Sequence, residues 1–222
     1  MFEQIFQPGM LELFAIGILE TIYMVLGSAA AAYLLGLPVG ILLYITDKDG
    51  IKPCKALNAI VGIIVNLLRS IPFIILLIYV MPFTRAVVGT TIGSTATIVP
   101  LVISAAPFVA RMVESSLNEV DKGVIEAAQS MGASEMQIIW KVLLPEATPS
   151  LLVGAAITVT TILGYTAMSG FTGGGGIGTI AINYGYYRYN SDIMLVTVII
   201  LVIIVQIFQE IGMRASKRID KR

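Results

Sequence analysis

LNEVDKGVIEAAQSMGASEMQIIWKVLLPEA, Leu117 to Ala147, is the stretch on which the reading of this chain turns. It is charged, mixed in polarity and free of any long apolar run, whereas almost everything on either side of it is apolar. A polar island between greasy spans is where a membrane protein meets a soluble partner. The composition fits that setting. Of 222 residues, 57% are hydrophobic and 13% charged, and the mean hydropathy is +0.90. An ordinary soluble domain carries roughly 25% charge, so too little polar surface is left here to coat a globule. The chain reads as an all-α integral membrane protein.

Composition also excludes chemistry. There is no His and a single Cys, Cys54. That removes imidazole acid–base catalysis, His or multi-Cys metal sites and an internal disulfide, and Cys54 reads as inert filler. The net charge is zero, so nothing points to nucleic acid. The N-terminus, MFEQIFQPGM, has no basic leader and no small-residue cleavage site. The first span is therefore expected to stay in place.

A helix needs about 20 apolar residues to cross the bilayer core. Five segments qualify: residues 13–45, 57–81, 94–112, 149–170 and 193–213, all within one membrane domain, 1–222. The first is long enough to tilt or project, and its small residues, Gly27 to Ala32 with Gly36 and Gly40, suit close helix packing. Arg69-Ser70-Ile71-Pro72 interrupts the second. Either its membrane part begins near Arg69 or the helix carries an internal Arg and a proline kink. Pro100 and Pro107 lie within the third. Residues 81–93 read as a short connection, and 171–192, with four consecutive glycines and a tyrosine cluster, as a loop or re-entrant turn.

Five spans put the termini on opposite sides, and basic residues choose which. With the C-terminus in the cytoplasm, that side carries Lys48, Lys52, Lys55, Arg111, Lys122, Lys141, Arg214, Lys217, Arg218, Lys221 and Arg222. The other side has only Arg85 and Arg188, with Arg69 inside a span. The island 117–147 then faces the cytoplasm and the N-terminus lies outside.

Within the island, Asp121 can cap a short helix running to about Met131. Gly132 can end it with a left-handed backbone. Ser134 can cap a second helix, with Gln137 completing a capping box, and Pro145 is expected to close it. The first helix carries Val124, Ile125, Ala127, Ala128 and Met131, and the Ala127-Ala128 pair offers a small-residue face to another surface. On pattern alone the island is equally an interfacial connector.

Its fixed residues add more. Glu126-Ala127-Ala128, three residues, Gly132, nine residues, then Val142-Leu143-Leu144-Pro145 resembles the EAA signature of ABC importer permeases, departing only at Val142, where the family usually has Ile. Arg69 to Phe73, Tyr165 to Gly170, the run FTGGGGIG and Ala181 to Tyr186 resemble the methionine importer permeases in particular. The resemblance implies a type I ABC importer permease fold: five transmembrane helices plus a cytoplasmic coupling helix. It implies that Glu126, Ala127, Ala128, Gly132, Leu144 and Pro145 dock a cytoplasmic ABC ATPase, two copies of which serve a homodimer of this chain in a bacterial inner membrane. An extracytoplasmic methionine-binding protein would deliver substrate. ATP and Mg would be held by the ATPase, leaving this chain without cofactor, metal or catalytic residue.

Other features weigh less. Gly173, Gly175 and Gly178 satisfy a dinucleotide-type glycine spacing, but no strand–helix context surrounds them. No P-loop pattern occurs, so ATP hydrolysis belongs elsewhere. Glu20 is expected to reach water at the outer interface, and Arg69 either to bond carbonyls freed by the break, the favoured reading, or to line the pathway. Arg111 and Glu114 are expected to pair along one helix. Tyr184, Tyr186, Tyr187 and Tyr189 read as an aromatic belt or a binding-protein contact. Tyr165, Met168 and Ser169 are candidate pathway residues, a thioether being compatible with Met and aromatic surroundings. Three alternatives stand beside the methionine reading. One is an ABC permease for another amino acid or small solute. The second is an ion-coupled secondary transporter, which would need intramembrane coupling groups, of which only Glu20 is a candidate. The third is a membrane enzyme, which would need a catalytic cluster that is missing.

Overall fold

The apolar residues 13–45 sit inside one 39-residue helix, α1 (Pro8–Thr46). The computed structural model describes residues 8–219. Most of the N-terminal MFEQIFQPGM stretch, and Lys221 and Arg222 of the basic tail, lie outside the described residues. The principal packing partner of α1 is α5 (Ser94–Asn118). The two backbones meet at Gly36 and Gly40. A Cβ added at Gly36 would stand 2.6 Å from the Ala106 carbonyl oxygen, and one at Gly40 would stand 2.5 Å from that of Ala110. Small residues four apart are what permit such an approach where the bilayer offers no hydrophobic drive between helices. Around this seam Met24, Val25, Ala32, Leu101, Val109 and Val113 are fully buried.

The second apolar segment breaks completely. α2 (Lys55–Ser70) and α3 (Phe73–Tyr79) meet at 98°. The cause is local: Pro72 has no N–H, and its ring pushes the preceding residue out of the helical region. Ile71 accordingly takes φ −79°, ψ 123°, and Pro72 itself φ −57°, ψ 132°. Arg69 lies in the last turn of α2, exposed and, among the described residues, without a side-chain hydrogen bond or ion pair. The expected bonding of freed carbonyls by Arg69 is not formed. Residues 81–88, read as connection, instead make a further helix, α4 (Met81–Val88), which ends at Gly89 with φ +86°.

After α5 come α6 (Lys122–Ser130) and α7 (Glu135–Ile138), then a π-helical turn at Ile139–Leu143 that runs straight into α8 (Leu144–Ser169). Pro145 therefore does not close a helix. It occupies the first turn of α8, and the π-helical turn before it accommodates its missing N–H. The wide turn before it makes room: the Leu144 N–H reaches back to the Ile139 carbonyl. Residues 171–192 are also more ordered than a loop. A short helix, α9 (Gly176–Ile180), and a π-helical turn at Ala181–Tyr186 precede α10 (Ser191–Ile219). Among the described residues, four helical stretches are long and apolar enough to cross a membrane, and a fifth span arises by joining α2 to α3. The described residues thus form an all-α bundle, with α8 packed against α5 and α10.

Candidate docking loop and pathway residues

The loop between α5 and α8 is built by its caps. The Asp121 carboxylate accepts the Gly123 N–H at 2.7 Å and starts α6. At the far end Gly132 adopts φ +78°. Its N–H donates to the Gln129 carbonyl at 2.9 Å, and the Ala133 N–H donates to that of Ala128 at 3.1 Å. This paired bonding is how a helix stops on a left-handed residue. The Ser134 N–H then donates to Gln137 Oε1 at 2.8 Å, and the Gln137 N–H donates to Ser134 Oγ at 3.4 Å, which closes a capping box around α7.

Each element of this loop has an inner and an outer side. Ile125, Ala128, Ile138, Ile139 and Leu143 are buried and pack with Tyr44, Leu117, Val120 and Ala147. Glu126, Ala127, Gly132 and Pro145 are exposed, and Leu144 is half-buried. Met131 is 82% and Met136 62% exposed, flanking the Gly132 bend. The alanine pair is thus split. Ala127 looks outward, whereas Ala128 is 4% exposed and belongs to the core, so the small-residue face has one alanine rather than two. The turn between α1 and α2 braces the loop through Lys52 Nζ and Glu135 Oε2 at 3.3 Å. Both side chains are more than half exposed, so the pair contributes at most about 1 kcal/mol. Arg111 and Glu114, near the end of α5, pair at 2.6 Å as expected.

At the opposite end of the bundle the candidate pathway residues separate. Tyr165 is half-buried and stacks on Phe73, ring centroids 4.4 Å apart and planes within 8°. This brings two distant motifs together, the Arg69–Phe73 stretch and the Tyr165–Gly170 stretch. Met168 is 46% exposed. Ser169 is fully buried: its hydroxyl donates to the Thr166 carbonyl at 2.7 Å, and its own carbonyl accepts the Gly174 N–H at 3.0 Å.

Sequence reasoning missed what holds the glycine run. Glu20 is half-buried, and its Oε2 accepts the Gly176 N–H at 2.6 Å. Beside it Thr21 Oγ1 accepts the Ile177 N–H at 2.9 Å. Gly175 and Gly176 have φ +83° and +71°. A Cβ on Gly176 would stand 2.6 Å from Thr21 Oγ1. Glycine is required there by both backbone and space. Among the tyrosines, the Arg188 guanidinium lies 4.4 Å over the Tyr184 ring, a cation–π contact, and Tyr189 is 93% exposed.

The profile of the binding-protein-dependent transport system inner membrane components matches residues 36–222. The chain belongs to that family. Among its members, the probable D-methionine transport system permease protein MetI of Vibrio cholerae is 50% identical over 203 residues, which cover 91% of this chain and 90% of the relative. The methionine import system permease protein MetP of Bacillus subtilis is 47% identical over 181 residues, 82% of each chain. A solved structure described as inward-facing conformations of the MetNI methionine ABC transporter superposes with a TM-score of 0.95 at 47% identity, covering 97% of this chain and all of that one. The loop between α5 and α8 falls wholly within the family match.

Proposed function

We propose that this chain is the transmembrane permease of an ATP-driven importer that carries methionine into the cytoplasm. The observation that carries the reading is the near end-to-end likeness to the permease of the MetNI methionine transporter, at a TM-score of 0.95 and 47% identity. Two copies form the pathway about a two-fold axis. Two ABC ATPase subunits, holding ATP and Mg, dock beneath them on the Glu126–Pro145 loop, and a binding protein delivers substrate from outside. The membrane is the bacterial inner membrane, with the N-terminus outside and the C-terminus inside. The placement of Lys and Arg supports that orientation.

The mechanism follows from the loop's two sides. Its outer side, Glu126, Ala127, Met131 and Met136, is free to meet the ATPase. Its inner side is packed into the bundle core, so a push on one side is delivered to the other. ATP binding draws the ATPases together, and the two docking loops bias a bundle with inward- and outward-open states. The chain itself has no hydrolytic role. Met168 and Tyr165 line the route, and Ser169 shapes its wall through the bonds described above.

The test is uptake of labelled methionine by vesicles holding the permease, ATPase and binding protein. Uptake is expected to require ATP on the ATPase side, to survive collapse of ion gradients and to be competed by methionine above other amino acids. Uptake that follows a gradient without ATP would overturn the reading in favour of a secondary transporter. Stronger competition by another amino acid would overturn the substrate.

A further inference from the structure

α2 is held to the rest of the bundle by few contacts. Only Gly62 and Val65 are buried along it, and Val65 belongs to a small cluster with Leu43 and Ala110. Beside that cluster an apolar groove of about 340 Å³, open to the outside, runs between α2, α1 and α5. Two polar clamps make up the deficit. At the start of α2, Asn58 Nδ2 donates to the Leu43 carbonyl at 2.7 Å and to Thr46 Oγ1 at 3.2 Å. Midway, Arg111 of α5 donates from Nη2 to the Gly62 carbonyl at 3.1 Å while Nη1 holds Glu114 at 2.6 Å.

The Arg111 side chain is 25% exposed and Glu114 17%. Arg111 Nε is buried and unpaired among the described residues, so the two Nη contacts carry the compensation for a largely desolvated charge. Gly62 keeps the approach open, since a Cβ there would stand 3.3 Å from Nη2. The position of this clamp matters. Toward the C-terminus, α5 leads from Arg111 into the docking loop that starts at Asp121. Toward its own C-terminus, α2 leads from Gly62 into the 98° bend and on to Phe73, which stacks on Tyr165.

We propose that Arg111 is a positioning residue that makes α2 follow α5, so that motion delivered to the docking loop reaches the α2–α3 bend and the Phe73–Tyr165 stack. The proposal rests on the docking reading given above. Glu114 orients the guanidinium fork. A lysine retains the charge and one donor but cannot hold Glu114 and the Gly62 carbonyl in the same rigid geometry.

The test uses the complete transporter, with ATPase and binding protein, in lipid vesicles. ATP hydrolysed per methionine imported is measured for the wild type, Arg111→Met and Arg111→Lys. In a Cys54→Ser background, spin labels at Leu67 and Ser115 report the α2–α5 separation with and without ATP. In the wild type that separation is expected to be the same in both states. In Arg111→Met it should broaden or shift between them, and the ATP used per methionine should rise by roughly tenfold, the weight of one charge-assisted hydrogen bond. The ATPase should still co-purify, and Arg111→Lys should recover much of the coupling. A wild-type coupling ratio in Arg111→Met, or a wild-type α2–α5 separation that itself changes with ATP, overturns the proposal. Loss of the ATPase from Arg111→Met also overturns it, because the residue would then act in folding the loop. Failure of the docking reading shows differently, as retention of the ATPase when Glu126 is replaced by Arg.

Discussion

Replacing Gly132 in turn by Ala, Asn and Val separates the shape of the docking loop from the room around it. Gly132 stands at φ +78° and is exposed, and a Cβ there would meet nothing within 4 Å. In the permease alone the cost of a side chain is therefore conformational. For an L-residue that backbone costs about 1–2 kcal/mol, with Asn the mildest exception, and β-branched Val fares worst. A bias of about 1–2 kcal/mol changes the ratio of bent to unbent loop by about 5- to 30-fold. A partner that accepts only the bent loop has its Kd raised by the fraction of competent loops lost, so that factor is the ceiling for Ala. The expected order of affinity is Gly, then Asn, then Ala, then Val. The assay is titration of labelled ATPase onto permease held in nanodiscs, with melting by circular dichroism as a check that the membrane helices are intact. The reasoning fails if Ala binds more tightly than Asn, because side-chain volume at the interface, rather than the bend, would then be decisive. It fails equally if all three match glycine.

The glycine run offers a second perturbation. Glu20→Ala leaves the Gly176 N–H without its acceptor and should destabilise the bundle by about 1–3 kcal/mol, whereas Glu20→Gln keeps a carbonyl oxygen in place and should cost less; thermal unfolding in detergent reads the difference, and equal melting of the two variants would refute the capping role. At the α1–α5 seam, Gly40→Leu must displace the Ala110 backbone, 2.5 Å from the first added carbon, and should cost several kcal/mol as overpacking. Folded yield by size-exclusion chromatography tests this against Gly9→Leu, where a Cβ meets nothing within 4 Å.

What could be read from the sequence was local or compositional. Asp121, Gly132 and the Ser134–Gln137 pair act within three or four residues of themselves, so the bonds they form are written in adjacent letters. The apolar spans follow from their length. The misreadings were of two kinds. Pro145 reads as closing a helix, as Pro72 reads as interrupting one, yet only Pro72 breaks its helix, by 98°, while Pro145 sits in the first turn of α8. The π-helical turn that accommodates Pro145 has no composition of its own. The second kind is long-range. Glu20 lies 156 positions from the glycine it caps. A charge in an apolar span is expensive and needs a partner, and a row of glycines presents free N–H groups, but nothing in either stretch names the other. Ala127 and Ala128 could not be assigned to opposite sides, because α6 has only nine residues, too few for a periodic pattern to resolve.

The helical run from Glu135 to Thr172, π-helical at Ile139–Leu143, has one more consequence. Its 38 residues rise about 57 Å at 1.5 Å each, against a hydrocarbon core about 30 Å thick. The run is longer than such a core even when tilted, so the loop at its base rides on a post rather than a tether. The stand-off of the docking surface and its compass bearing about the bundle are then set by residue count. One residue gained or lost between Glu135 and Pro149 turns that bearing by about 100° while changing the height hardly at all. In this part of the chain length is angular information, and a change that leaves every contacting residue in place can still point the loop away from its partner.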